Sequence, residues 1–103
     1  MYRGTTPTIT FKINTELDLN DLAECWVTFK SKVGMREKTF SLSDLIVDPV
    51  EKTITVAMSQ DETLYFTSGS ILIQIRLRTT DDLAYASDIK EIKMCGILKD
   101  GEI

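Results

Sequence analysis

The sequence has no histidine, two cysteines, two prolines and one tryptophan. Without histidine, no side chain changes its unperturbed charge between about pH 5 and 8. The Ser–His–Asp and Cys–His nucleophile arrangements and histidine-based zinc sites are excluded with it. Acid–base chemistry would fall to carboxylates, lysines and tyrosines. The acidic residues, however, scatter through turns and outward strand positions, and Asp81-Asp82, the only adjacent aspartates, falls at a hairpin tip. The D-x-D-x-D-G spacing of a calcium loop is missing, and the five glycines are dispersed rather than gathered into a phosphate-cradling loop. No catalytic residue, metal ligand or cofactor is therefore expected. Cys25 and Cys95 form no C-x-x-C pair. With no secretion signal both are expected as reduced thiols, one of them in the core, although the sequence leaves a bridge between them open.

Positive charge is also short. Twelve lysines and arginines face sixteen acids, for a net charge of −4. That balance disfavours non-specific binding to nucleic acid or to an anionic membrane. No apolar run approaches the ~20 residues of a membrane span, and the N-terminal MYRGTTPT lacks the apolar centre of a signal peptide. The expectation is a protein made and kept in the cytoplasm unless a larger particle carries it out.

What is present is alternation. In Ser70–Thr79 (SILIQIRLRT), Ile71, Ile73, Ile75 and Leu77 share one parity. Ser70, Gln74, Arg76 and Arg78 share the other, with Leu72 the exception. A strand sends alternate side chains to opposite faces, so this is a long strand with one apolar and one wet face. The remaining chain supplies partners. Residues 1–6 form a polar leader. Pro7–Asn14 alternates, with Ile9, Phe11 and Ile13 inward, and its proline suits an edge. Asp18 or Asn20 can cap a helical turn that folds Leu17, Leu19 and Leu22 onto the core. Glu24–Lys32 is a second long strand, with Cys25, Val27 and Phe29 on one parity and Trp26, Thr28, Lys30 and Lys32 on the other. Lys38, Phe40 and Leu42 alternate against Glu37, Thr39 and Ser41 as a third strand, and Leu45–Val47 is a short fourth. Thr53–Met58 turns Ile54, Val56 and Met58 inward. Ser59 with Glu62 matches a capping box for one helical turn, Ser59–Tyr65, anchored by Leu64. After a turn at Thr80–Asp82, Leu83–Met94 slips parity: Leu83, Tyr85 and Ile89 share one face, Ile92 and Met94 the other. A β-bulge near Ser87-Asp88 accounts for the slip, a helix from Ser87 being the weaker alternative. Residues 95–103 form a tail.

About seven short strands with regular turn signals and one or two single helical turns indicate an all-β protein. The expected fold is one domain, residues 1–103, built as an immunoglobulin-like antiparallel β-sandwich. The tryptophan and two-cysteine bridge of antibody domains are absent, so the likeness is architectural.

Trp26 is the residue that asks for a partner. On the wet face it anchors an interface or stands alone, whereas a bulge before it would place it in the core. Lys30, Arg76 and Arg78 share its outward parity and are the companions expected beside it. With Lys12 and Lys32 these cations could form a basic stripe for a phosphate backbone, but overall acidity and the lack of interleaved aromatics favour an ordinary solvated face. In the tail, Ile97 and Leu98 either cover the edge of their own sheet or add to a neighbouring subunit. A homo-oligomer is the expected assembly.

The segments YRGTTPTITFKI, DLNDLAECWVTFKSK, TITVAMSQDETLYF, the Gly-led ILIQIR strand and AYASDIKEIKMCGILKDGEI resemble a group of small proteins of unknown function. These are encoded in prophages and tail-gene modules of Gram-positive gut bacteria. The layout also resembles the N-terminal domain of phage baseplate upper proteins. The resemblance carries no catalytic residues. It implies an immunoglobulin-like sandwich and a structural or assembly role in a phage tail or baseplate, with copies of itself or other tail proteins as partners, and hence a virion component if incorporated. Baseplate upper proteins continue into a longer C-terminal part, whereas this sequence stops at Ile103. It would then act alone as an accessory piece, or beside a separate long protein. The alternatives are an adhesion or carbohydrate-binding module, which usually shows several exposed aromatics or a calcium loop, and an intracellular phage or host regulator binding one partner.

Overall fold

A row of β-branched residues on one face needs an equally apolar surface to cover it. In β6 (Gly69–Thr79), Ile71, Ile73, Ile75 and Leu77 are all exposed by 4% or less. The computed structural model describes residues 1–103. In it β6 runs antiparallel to β2 (Leu22–Ser31) over nearly its whole length, with Trp26 opposite Arg76 and Ser31 opposite Ile71. β3 (Glu37–Phe40) flanks β2 on its other side. β7 (Ala84–Ala86) and β8 (Lys90–Met94) follow one another along the free edge of β6. The smaller sheet has the order β1 (Thr8–Lys12), β5 (Thr53–Ala57), β4 (Leu45–Asp48), again antiparallel. No helix is long and apolar enough to cross a membrane.

The chain crosses between sheets three times, each time through one helical turn with its own cap. Between β1 and β2, Asp18 accepts the Asn20 N–H at the head of the 3-10 turn Leu19–Asp21, whose Leu19 is buried. Two amide donors hold the Asp18 carboxyl below its usual range, the backbone N–H first and the Asn20 side chain second. Between β3 and β4 lies a second 3-10 turn, Leu42–Asp44, closed by a reciprocal Ser41–Asp44 capping box. The sequence places Leu42 in a strand. It leaves the strand because Asp44 reaches back to the Ser41 N–H at 3.1 Å and fixes the turn. Between β5 and β6, α1 (Gln60–Tyr65) carries the expected Ser59–Glu62 capping box. Its anchors are Thr63 and the following Phe66, both 0% exposed, rather than the half-buried Leu64. The resulting sheets, β1-β5-β4 and β3-β2-β6-β7/β8, correspond to the B-E-D and C′-C-F-G strands of an immunoglobulin sandwich.

The strands number eight because the slip in the last hairpin divides it. Arg76 faces Ala86 on β7, but Ile73 faces Lys90 on β8, so the register advances by one residue across Ser87–Ile89. Ser87 holds the bulge by giving its N–H to the Ile75 carbonyl at 2.8 Å and accepting the Ile75 N–H on its Oγ at 2.9 Å. The extra residue returns Ile92 and Met94 to the core side. Of the three residues that share a parity before the slip, Tyr85 packs on the core, whereas Leu83 is half-exposed in the turn and Ile89 stands exposed in the bulge.

Between the sheets the layer is apolar. Phe29 sits at its middle, edge-on to Phe40 at 5.6 Å and 6.4 Å from Phe66. Val27, Ile54, Val56 and Met94 close around it at 1% exposure or less.

Candidate interaction surface

Outward positions on β2 and β6 become neighbours through their register. Trp26 lies directly opposite Arg76, and the guanidinium carbon stands 5.7 Å from the indole ring centre. That is within the range of a cation–π contact. Trp26 is 45% exposed, so its second face is free. Glu24 is the register partner of Arg78, but its Oε1 is turned to the backbone, accepting from Cys25 N at 2.9 Å and Leu42 N at 3.2 Å. Arg78 reaches only Asp82, at 3.9 Å, and Arg76 has no carboxylate within ion-pair distance.

The hairpin beyond β6 completes the site. Thr79 N donates to the Leu83 carbonyl at 2.8 Å across a three-residue loop. Asp82 takes φ of +68°, a conformation aspartate tolerates better than most residues. The buried Thr79 hydroxyl bonds the Asp81 carboxylate and accepts the Leu83 N–H. This fixes Ala84 opposite Arg78 and Ala86 opposite Arg76. Two small residues beside two long ones leave an open depression of about 400 Å³ lined by Trp26, Arg76, Arg78, Glu24, Ala84 and Tyr85.

Three of the six residues singled out from sequence thus meet in one place. Lys30 shares the face but lies opposite Leu72 and Glu37, four residues along β2 and roughly 13 Å from Trp26. Ile97 and Leu98 sit at the other end of β6, beyond Met94, which faces Gly69. Ile97 is half-buried near Gly4 and Leu64, whereas Leu98 is fully exposed. Nor do the outward cations form one stripe: Lys12 belongs to the smaller sheet, and Lys32 pairs with Glu91 at 3.0 Å. Glu24, Ala84 and Tyr85 are absent from the sequence-based set. The Asp-rich turn was the available signal for the two hairpin residues, since counting outward from it sets Ala84 against Arg78.

The leader and tail are tied together rather than loose. Arg3 donates from Nε to the Phe66 carbonyl at 2.7 Å, from Nη2 to the Leu64 carbonyl at 3.0 Å and from Nη1 to Asp100 at 2.6 Å. It therefore satisfies carbonyls at the end of α1 that the helix itself cannot. Tyr2 bridges Cys95 in parallel, and Gln60 exchanges two hydrogen bonds with the Ile103 backbone. Both cysteines are free, Cys25 buried and Cys95 half-buried. Burial, with a smaller push from the Glu24 charge, raises the Cys25 thiol to about 11. A thiol held neutral in that way is a poor nucleophile. No three His, Cys, Asp or Glu side chains gather where one ion could bind them.

Comparison with family models, with curated proteins and with solved structures found no match.

Proposed function

We propose that this protein is a non-enzymatic structural or assembly module that works through protein–protein contacts, in the phage tail or baseplate setting that the sequence resemblance implies. The observation that carries the reading is the outward Trp26, 45% exposed, stacked on an Arg76 that has no carboxylate partner, beside an open depression. Tryptophan and arginine are the residue types that most often anchor interfaces. A large indole left nearly half exposed on a wet face costs solubility that a covering partner would remove. The other exposed aromatics, Tyr2 and Tyr65, belong to the leader and to α1 rather than to this face, so no row of stacking platforms for sugars accompanies Trp26.

The test is Trp26→Ser. Light scattering of the purified chain should show weaker association for the variant, with a melting temperature within about 5 °C of the parent. A parent chain that stays monomeric at high concentration, and that fails to bind the products of its neighbouring genes, would count decisively against the reading. Global unfolding of the variant would place Trp26 in the core instead.

A further inference from the structure

We infer that association is head-to-tail: the Trp26–Arg76–Arg78 depression of one copy receives the Leu98–Glu102 segment of a second copy. The inference rests on the assembly reading above and names the partner surface. Arg76 and Arg78 stand two residues apart on one face, which separates them by roughly 7 Å. Arg76 is unpaired, and Arg78 has only the 3.9 Å contact with Asp82, whose side chain is 88% exposed. A pair so exposed competes weakly with an incoming carboxylate. The flanking Ala84 and Ala86 are too short to shield either guanidinium, and β7 has no strand on its outer side. The site therefore offers two cations and one aromatic face to whatever lies across β7, with Glu24 the one carboxylate in its lining and that group's Oε1 engaged by the Cys25 and Leu42 N–H groups.

The complementary pattern is in the tail. Asp100 and Glu102 repeat the two-residue spacing with opposite sign. Glu102 has no internal partner, and Asp100, 70% exposed, meets Arg3 through one oxygen only. Leu98 is fully exposed beside them and matches the free face of Trp26. One copy cannot satisfy both halves. Arg78 and Gly69 are nine residues apart on β6, roughly 30 Å, and the tail is pinned at the Gly69 end by the Arg3 and Gln60 contacts. Joined this way in one direction, copies make a ring or an open series, in place of a reciprocal exchange of tails about a two-fold axis.

The experiment is sedimentation velocity on the full chain over a range of concentrations, with Arg76→Glu and Glu102→Lys as separate variants. Glu102→Lys spares the Arg3–Asp100 pair. The parent should form species larger than a dimer that weaken as salt rises from about 0.05 to 0.5 M. Each variant alone should associate on the order of tenfold more weakly. Mixing the two should restore association, because each then meets a tail or a depression of opposite sign. Variants that associate as the parent does, or a mixture no better than its components, overturn the inference. If Trp26→Ser disrupts the oligomer while charge reversal does not, the assembly reading stands and the head-to-tail arrangement falls. Binding of an unrelated acidic peptide to a chain that never self-associates assigns the depression to another protein.

Discussion

The two sheets present the same kind of inner face and different outer ones. On the smaller sheet the outward residues of β1 and β5 are Thr8, Thr10, Lys12, Thr53, Thr55 and Ala57, and the Thr10 and Thr55 hydroxyls meet across the strands at 3.0 Å. The larger sheet has its own threonine pair, Thr28 and Thr39, again at 3.0 Å. There, however, the pattern breaks two residues further on, at Trp26 and Arg76. Threonine suits a solvated strand face because it is β-branched and carries its own hydrogen-bonding group. The β1–β5 pair shows that such residues suffice to build an outer surface in this fold, although β4 adds Ile46 to the same face, 68% exposed and with no cation stacked on it. Residues that exceed the requirement, a tryptophan stacked on an unpaired arginine, are then the ones to explain by contact with something else.

The sharpest way to break that comparison uses two residues three positions apart on β2. Phe29 is 1% exposed and touches two other rings, whereas Trp26 faces out. Phe29→Ala should cost about 3–5 kcal/mol in a urea titration, a large share of the roughly 5–15 kcal/mol that holds an ordinary domain folded. Trp26→Ser should cost under about 1 kcal/mol. Comparable losses at the two positions would erase the distinction between an inner face that folds the chain and an outer one that acts.

Those facings are legible in the sequence because strand parity is local. Cys25, Val27 and Phe29 against Trp26, Thr28 and Lys30, and the isoleucines of β6 against Gln74, Arg76 and Arg78, follow from counting by two. The bulge was legible for the same reason, since a parity slip within one strand needs an inserted residue. Leu42 misled because it prolongs the alternation of Lys38 and Phe40 by one step while a capping box ends the strand. Leu64 misled because a six-residue helix is too short to reveal which side is inward. Arg3 left no signal: its three acceptors lie more than sixty residues away. For the candidate site, parity gave the facing of Trp26, Arg76 and Arg78. Their meeting depends on register between strands fifty residues apart, which no local pattern specifies.

A second measurement sharpens the inner half of the comparison at Cys25, the residue before Trp26. Its thiol is raised from an ordinary value of 9.0 to about 11, by burial first and the Glu24 charge second. The fold holds the neutral thiol. Its contribution is complete below about pH 9 and is lost as pH rises toward 11, because the unfolded chain releases the proton first. The interval corresponds to about 3 kcal/mol. Denaturation midpoints measured from pH 7 to 11 should fall more steeply for the parent than for Cys25→Ala. Parallel curves for the two would mean that Cys25 is solvated in the native state, with the inner face of β2 open to water at that position.

The smallest effect concerns a difference in register. The smaller sheet pairs its strands without a slip, whereas the edge of the larger one shifts by a residue at Ser87. In an antiparallel strand the N–H and C=O of one residue point to the same side. The Ile75 carbonyl accepts from Ser87 N, so the Ile75 N–H also points toward β7, and the Ser87 hydroxyl is the acceptor it finds there at 2.9 Å. Ser87→Ala removes that acceptor and nothing from the core. Water can reach the half-buried position, so the cost should be about 1 kcal/mol, near the net worth of one hydrogen bond. Amide exchange gives the more specific readout: the Ile75 N–H should exchange faster in the variant, while the Thr10 and Thr55 amides of the smaller sheet stay as they were. If Ile75 keeps its protection, the bulge is held by backbone pairing alone. The register that sets Ala84 and Ala86 beside the two arginines would then owe nothing to the serine.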